Sequence, residues 1–247
     1  MLKDGERLEP LGKDVQVIVS IEHRFTTDTV LLAHFAAPKK NETAAELGSG
    51  CGVIPLLWNK SGTPKHTDAV ELQSDAADML RRSVTLNGFE KSITVYQRDL
   101  RDLKGTLPFG VYDLVACNPP YKPTGSGLQN PQEAHRLARH ECMCTIEDVA
   151  VAAASLLRFG GRFCMCQRPE RLCDIMNTLR KASLEPKRLR MVQQRPQKTP
   201  KLVLIEAKRG ARPGGLLVEP TLMVENEAGG FSEEMLRIYG DYKCGHL

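Results

Sequence analysis

The sequence predicts an α/β fold: a mostly parallel sheet with helices on both faces. Three observations carry that expectation. Short apolar runs of strand character alternate with amphipathic stretches between residues 43 and 207. A glycine-rich turn, Glu46-Leu47-Gly48-Ser49-Gly50-Cys51-Gly52, joins the first of those runs to the helical stretch after it. A composition of 41% hydrophobic and 26% charged residues in 247 is that of a folded chain of one large domain or two small ones. At that length folding buries roughly 70–75% of the unfolded surface, so the core needs no crosslinks.

Taken in order, the first 24 residues hold short β-like runs such as Val15–Ser20, broken by Gly and Pro. Phe25-Thr26-Thr27-Asp28 then opens a helical pattern, TVLLAHFAA, with Thr27 or Asp28 as cap and an acid in the first turn. Past the turn at Pro38–Asn41 the strand-like runs are Thr43–Leu47, Thr67–Leu72, Ser92–Gln97, Tyr112–Cys117, Arg162–Gln167 and Leu202–Ala207. Helical stretches lie between them. Val53–Asn59 follows the glycine-rich turn, and Ser74–Leu86 stops at Asn87-Gly88. Thr145–Leu157 opens on Thr145 with Asp148 three residues on, close to a capping box, and ends before Gly160-Gly161. Pro169–Ala182 is the fourth. With no internal repeat, low-complexity tract or long linker, the expectation is a single domain over 1–247. It divides into an N-terminal strand/helix extension over 1–42, a core over 43–207 and a C-terminal extension over 208–247, the least readable part.

The longest nearly apolar stretch, Val149–Leu157, is about half of what a membrane span needs. The opening MLKDGERLEP is charged from Lys3 onward and has no apolar signal core, so a cytoplasmic protein that does not engage membranes is expected. Cytosolic thiols are kept reduced, which makes the eight cysteines free thiols rather than four disulfides. Zinc knuckles need CxxC-type pairs. Here Cys142/Cys144 and Cys164/Cys166 are each separated by one residue, which on a strand places both on one face as small hydrophobes. No metal is expected, and a monomer is the default.

Charge is unevenly distributed. Between Pro186 and Arg212 lie nine basic residues (Lys187, Arg188, Arg190, Arg195, Lys198, Lys201, Lys208, Arg209 and Arg212) and one acid, Glu206, in a chain whose net charge is +4. Such a block fits a polyanionic partner, or equally a solvated surface flanking a strand.

The glycine-rich turn is the first chemical signal. Alternate glycines let a ligand approach the backbone, and amide N–H groups at a helix start favour a negative group. Glu71 ends the next strand, 23 residues past Gly48, where a carboxylate can accept two hydrogen bonds from a ribose diol. These two features fit a dinucleotide site and an S-adenosylmethionine site alike. Asn118-Pro119-Pro120-Tyr121, after the fourth strand, decides between them. The lone pair of an exocyclic adenine amine is delocalised into its ring. The Asn118 side-chain oxygen and the Pro119 carbonyl can hold both amine hydrogens and favour the pyramidal, nucleophilic form. Two prolines keep the turn rigid, and Tyr121 offers a face for the base to stack on.

With those residues in view, the chain resembles the class I S-adenosylmethionine-dependent methyltransferases, and within them the bacterial valine-tRNA adenine-N6-methyltransferase family. The resemblance runs through FTTDTVLLAHFA (25–36), ELGSGCGVIPLL (46–57), VELQ (70–73), LNG (86–88), RDLRDL (98–103), DLVACNPPY (113–121), ARHE (138–141), LLRFGGRF (156–163) and GGFSEEMLRIYG (229–240). It implies a Rossmann-like, seven-stranded, mostly parallel sheet with helices on both faces. It also implies that Glu46, Gly48 and Gly50 line the methionine end of S-adenosylmethionine and that Glu71 holds its ribose. Asp99 would read the adenine amine with Leu100 packed beside the ring, and Asp28 would sit where the family closes over the cofactor. Asn118, Pro119, Pro120 and Tyr121 would receive the target adenine, next to the anticodon of a tRNA.

The remaining site residues are expected to meet RNA. Lys122–Cys144 is a long Gly-, Pro-, Asn- and Gln-rich stretch in which Arg136, Arg139 and His140 are available for phosphates, unless Arg139 and Glu141 merely pin it to the body. Lys187, Arg188, Arg190, Arg195 and Lys198 would track the backbone. Rival readings are a protein-glutamine N5-methyltransferase, disfavoured because only about 42 residues precede the core, and a guanine-N2 ribosomal RNA methyltransferase, which often carries a further domain. A non-catalytic RNA-binding protein would have no need of Glu71, Asp99 and NPPY together. In an NAD dehydrogenase the third glycine would come one residue later.

Overall fold

The structure is a computed structural model and describes residues 2–62, 64–120 and 144–242. A two-stranded antiparallel hairpin, β1 (Glu6–Pro10) with β2 (Gln16–Ser20), precedes helix α1 (Thr27–Ala36). The alternating core follows: β3 (Thr43–Leu47), α2 (Val53–Lys60), β4 (His66–Glu71), α3 (Ser74–Leu86), β5 (Ile93–Gln97) and β6 (Tyr112–Cys117). After residue 144 come α4 (Ile146–Leu156), β7 (Leu157–Gln167), α5 (Leu172–Lys181), β8 (Leu184–Gln193) and β9 (Leu202–Arg209). The chain closes with two short strands, β10 (Leu217–Val218) and β11 (Leu222–Met223), and helix α6 (Glu233–Tyr239).

All six strand-like runs are strands of one sheet, and a seventh, β8, lies where the sequence showed chiefly a basic block. The order is β10-β8-β9-β7-β6-β3-β4-β5, with β11 also on β8. Strands β5, β4, β3, β6 and β7 run parallel, and β9 is antiparallel to both β7 and β8. The expected seven strands therefore form the sheet, and β10 and β11 bring it to nine. Strand order reverses between β3 and β6, the point at which crossover connections leave in opposite directions and open a crevice beyond the carboxyl ends of the strands.

Alternation along each strand sorts the core into two sides. Ala45, Leu47, Val115, Cys117 and Met165 face α4 and α5, while Ala44, Leu114, Ala116, Cys164 and Cys166 face α1 and α2. A third cluster packs Val17 and Val19 of the hairpin against Leu80 and Val84 of α3. The expected cap of α4 is present: the Thr145 hydroxyl accepts from the Asp148 amide at 3.1 Å, and the Asp148 carboxylate accepts from the Thr145 amide at 2.8 Å. The Pro169–Ala182 stretch is a short 3-10 turn, Pro169–Arg171, leading into α5. No helix among the described residues is long and apolar enough to cross a membrane.

Candidate active site

The glycine-rich turn leaves β3 and enters α2 with Gly48, Gly50 and Gly52 at φ 72°, 53° and 95°, left-handed conformations that a side chain resists. The amides of Gly48 and Ser49 donate to the Val70 carbonyl at 2.9 and 3.0 Å, docking the turn on the end of β4. The three glycines differ in what surrounds them. A Cβ on Gly52 would fall 2.0 Å from Leu80 Cδ1, so packing against α3 demands glycine there. Nothing lies within 4 Å of a Cβ built on Gly48 or Gly50, which leaves their backbone open to a ligand.

Two carboxyls stand behind that turn. Glu71 is 6% exposed, and its carboxylate accepts the Gly50 amide at 2.7 Å and the Gln73 amide at 2.8 Å. It braces the glycine turn and still has lone pairs for further donors. Glu46 is 2% exposed, and its Oε2 has no hydrogen-bond partner among the described residues. Burial pushes the Glu46 carboxyl well above the ordinary carboxylate range, and the nearby charge of Glu71 adds to the effect. A buried acceptor without a donor is costly, and an incoming ammonium group would satisfy it. The residues present thus fit a zwitterionic nucleotide-like ligand.

Asp99 and Leu100 follow β5 and line the same cleft, a cavity of about 410 Å³ whose walls also include Gly48, Gly50, Glu71 and Asn118 to Pro120. The Arg101 side chain and amide hydrogen-bond the Asp99 carboxylate and hold it below the usual range. On the other side, Asn118 follows β6. Its Nδ2 donates to Thr29 Oγ1 at 3.3 Å, and its Oδ1 accepts from the Cys166 thiol at 3.1 Å.

The sequence-predicted site residues are therefore largely brought together: Gly48, Gly50, Glu71, Asp99, Leu100, Asn118, Pro119 and Pro120 share one cleft, with Glu46 buried at the end of β3. Asp28 lies in the first turn of α1, one residue before Thr29, where its charge acts on the phenol of Tyr239. Tyr121, Arg136, Arg139 and His140 lie outside the described residues. Sequence reasoning missed Arg24 and Arg98, which line the cleft, and the Asn118 partners Thr29 and Cys166. The available signal for Cys166 was its position on a strand adjacent to β6.

Residues 23–170 match the family described as the methyltransferase small domain. The chain belongs to that family. Relatives of this methyltransferase include proteins named tRNA1(Val) (adenine(37)-N6)-methyltransferase. The one from Parabacteroides distasonis is 29% identical over 216 residues, covering 87% of this chain and 89% of its own. The one from Porphyromonas gingivalis is 27% identical over 226 residues, covering 87% and 86%. Among solved structures, a protein described as a predicted O-methyltransferase from Agrobacterium tumefaciens superposes with a TM-score of 0.69 at 21% identity, over 87% of this chain and 97% of that one. TYW2 of M. jannaschii in complex with AdoMet follows at 0.58 and 14%, over 85% and 89%. These likenesses show the fold.

The sequence leaves the basic block of this methyltransferase open between a polyanion contact and a solvated surface, and in the structure three of its five nominated cations pair with acids. Arg188 on β8 bonds Glu206, its partner on the adjoining β9, at 2.9 Å, meets Glu219 and the Phe35 carbonyl, and lies 3.8 Å over the Phe35 ring. Arg190 makes a two-pronged pair with Glu234 at 2.7 and 2.9 Å. Arg195 pairs with Glu225, and Lys187 donates to the carbonyls of Arg212 and Gly214. Of the five nominated cations Lys198 alone is exposed without an ion pair among the described residues. The reason is topological. Lys187, Arg188 and Arg190 lie on β8, and the acids that pair with Arg188, Arg190 and Arg195 come from β9 and the C-terminal extension, so a count along the sequence overstates the free charge.

Proposed function

We propose that this methyltransferase transfers the methyl group of S-adenosylmethionine to the exocyclic N6 of an adenine in tRNA, and that the adenine lies next to the anticodon. The single observation that carries the reading is the Asn118-Pro119-Pro120 turn in the wall of the same cleft as Glu71 and Asp99. Two relatives bearing a tRNA adenine-N6 name over most of both chains support the substrate.

When bound, the cofactor supplies an electrophilic methyl group on a sulfonium. The residues of this chain do the rest. Glu46 Oε2 takes the ammonium of the methionine end, and the Gly48 and Gly50 backbone lets that end approach. Glu71 accepts from the ribose hydroxyls while keeping its bonds to Gly50 and Gln73. Asp99 would accept the adenine amine beside Leu100, and Asp28, in the first turn of α1, would stand on the cofactor's side of the family's fold. Asn118 Oδ1 and the Pro119 carbonyl accept the two hydrogens of the target amine, and Pro120 holds that carbonyl in place. The target base has to leave its stack to enter, at a cost of a few kcal/mol that is least in a loop. Its surplus proton leaves to water after transfer, so no general base is assigned.

Arg24 and Arg98 are exposed at the cleft and make no ion pair among the described residues, which makes them better phosphate contacts than Arg188 or Arg190. We read the whole chain as one domain acting as a monomer in the cytoplasm, with 1–42 and 208–247 as extensions of the core. The test is methyl transfer from labelled S-adenosylmethionine into total tRNA, with nucleoside analysis. N6-methyladenosine is the expected product. Asn118→Ala should lower turnover by orders of magnitude while leaving cofactor affinity within about threefold. Label in release factor or ribosomal RNA, with none in tRNA, would leave the fold and cofactor standing and overturn the substrate.

A further inference from the structure

An asparagine that holds an amine must present its oxygen to it. The two ends of a carboxamide have nearly the same shape, so their partners decide which end faces the target. Here both ends are held. Cys166, fully buried on β7, gives its thiol hydrogen to Oδ1, and Thr29 accepts from Nδ2. A carboxamide oxygen has two lone pairs, so accepting from a thiol does not by itself bar it from accepting a substrate hydrogen.

Thr29 is itself braced. Two residues earlier on α1, the Thr27 hydroxyl shares a hydrogen bond of 2.9 Å with the hydroxyl of Tyr239 at the end of α6. Tyr239 is 6% exposed and packs at 5.2 Å on Phe231. The C-terminal GGFSEEMLRIYG segment, which the proposed chemistry does not use, is thereby tied to the first turn of α1.

We propose that Thr29 is a positioning residue: its hydroxyl fixes the Asn118 amide with the oxygen toward the target amine, and the C-terminal helix holds Thr29 there through Tyr239 and Thr27. This rests on the adenine-N6 reading above. Thr29→Val keeps the shape of the side chain and removes the acceptor; Thr29→Ser keeps the acceptor.

The experiment uses the full chain, labelled S-adenosylmethionine and an unmodified valine tRNA transcript, with S-adenosylhomocysteine affinity and thermal midpoint as controls. Thr29→Val should lower kcat roughly five- to tenfold, the worth of one neutral hydrogen bond. KM for the RNA and affinity for S-adenosylhomocysteine should stay within about twofold, and Thr29→Ser should return to near wild-type turnover. An equal fall in Thr29→Ser overturns the proposal, because packing alone would then explain it. Wild-type turnover in Thr29→Val beside collapsed turnover in Asn118→Ala overturns the role of Thr29 only. Wild-type turnover in both variants overturns the Asn118 reading as well. If Thr29→Val does not accumulate as folded protein, Thr29→Ser against Thr29→Ala makes the same comparison, and equal turnover in those two overturns the proposal.

Discussion

Replacing Glu46 by glutamine tests the electrostatics of the cofactor cleft directly. Its carboxyl is 2% exposed with Oε2 unpartnered among the described residues, and burial raises it well above the 4.5 of a free side chain. The ligand-free folded protein therefore keeps a proton that the unfolded chain gives up near pH 4.5. The contribution of Glu46 to stability is greatest below that value and falls as pH rises, until the folded carboxyl ionises in turn. Each pH unit in that window costs about 1.4 kcal/mol. For a chain of this length that is roughly 3–6 °C in Tm per unit. Glutamine has the shape of the protonated acid and does not titrate. The two proteins should melt together near pH 4.5, and Glu46→Gln should become progressively the more stable above it. Saturating S-adenosylhomocysteine reverses the ranking, because the ligand ammonium recruits the ionised carboxyl. Affinity in Glu46→Gln should fall about tenfold to a hundredfold, the worth of a hydrogen bond between charged groups. Thermal melts from pH 4.5 to 8.5, with and without that ligand, read both effects. A flat difference between the two ligand-free proteins, or equal stabilisation of both by the ligand, would refute the reasoning.

Three further outcomes follow from the same geometry. Glu71→Ala removes the acceptor of the Gly50 and Gln73 amides, and calorimetry should show cofactor affinity reduced by about 2 kcal/mol or more, roughly thirtyfold. Gly52→Ala drives a methyl into Leu80 at a left-handed backbone and should destabilise by about 1–3 kcal/mol in denaturant melts, whereas Gly48→Ala should act mainly on cofactor binding. Arg188→Ala should cost about 1–3 kcal/mol of stability by removing a partner of buried Glu206, and leave the salt dependence of tRNA binding unchanged. Neutralising Arg24 and Arg98 together should instead flatten that dependence.

The core was legible because local and global signals agree in it. Glycine spacing, Glu71 at a strand end and the NPP turn each mark the carboxyl edge of a strand, and a parallel sheet brings those edges to one side. Cys164 and Cys166 read as same-face hydrophobes, and both are buried on the α1 and α2 side. Strand β8 was hidden by its own chemistry. Leu184, Leu189 and Val192 are buried, but Lys187, Arg188 and Arg190 between them dominate the sequence, and the partners of the two arginines, Glu206, Glu219 and Glu234, lie 18, 31 and 44 residues on. The same distance hid Thr29 from Asn118, 89 residues away. Period and spacing report faces of one element; they do not report which side chains meet across elements.

Strands β10 and β11 have a consequence beyond completing the sheet. A ten-residue outermost strand such as β8 would offer a long row of unpaired amides and carbonyls, a template for another chain. Leu217–Val218 and Leu222–Met223 occupy that row in two short parallel pieces, extended by the Glu219 amide on the Leu189 carbonyl and the Val224 amide on the Gln193 carbonyl. The new rim is itself poorly suited to growth. Its exposed apolar residues, Leu216 to Val218, are bounded by Gly214-Gly215 on one side and on the other by Pro220, which has no amide hydrogen to donate. The C-terminal extension thus covers an edge that would otherwise template another chain.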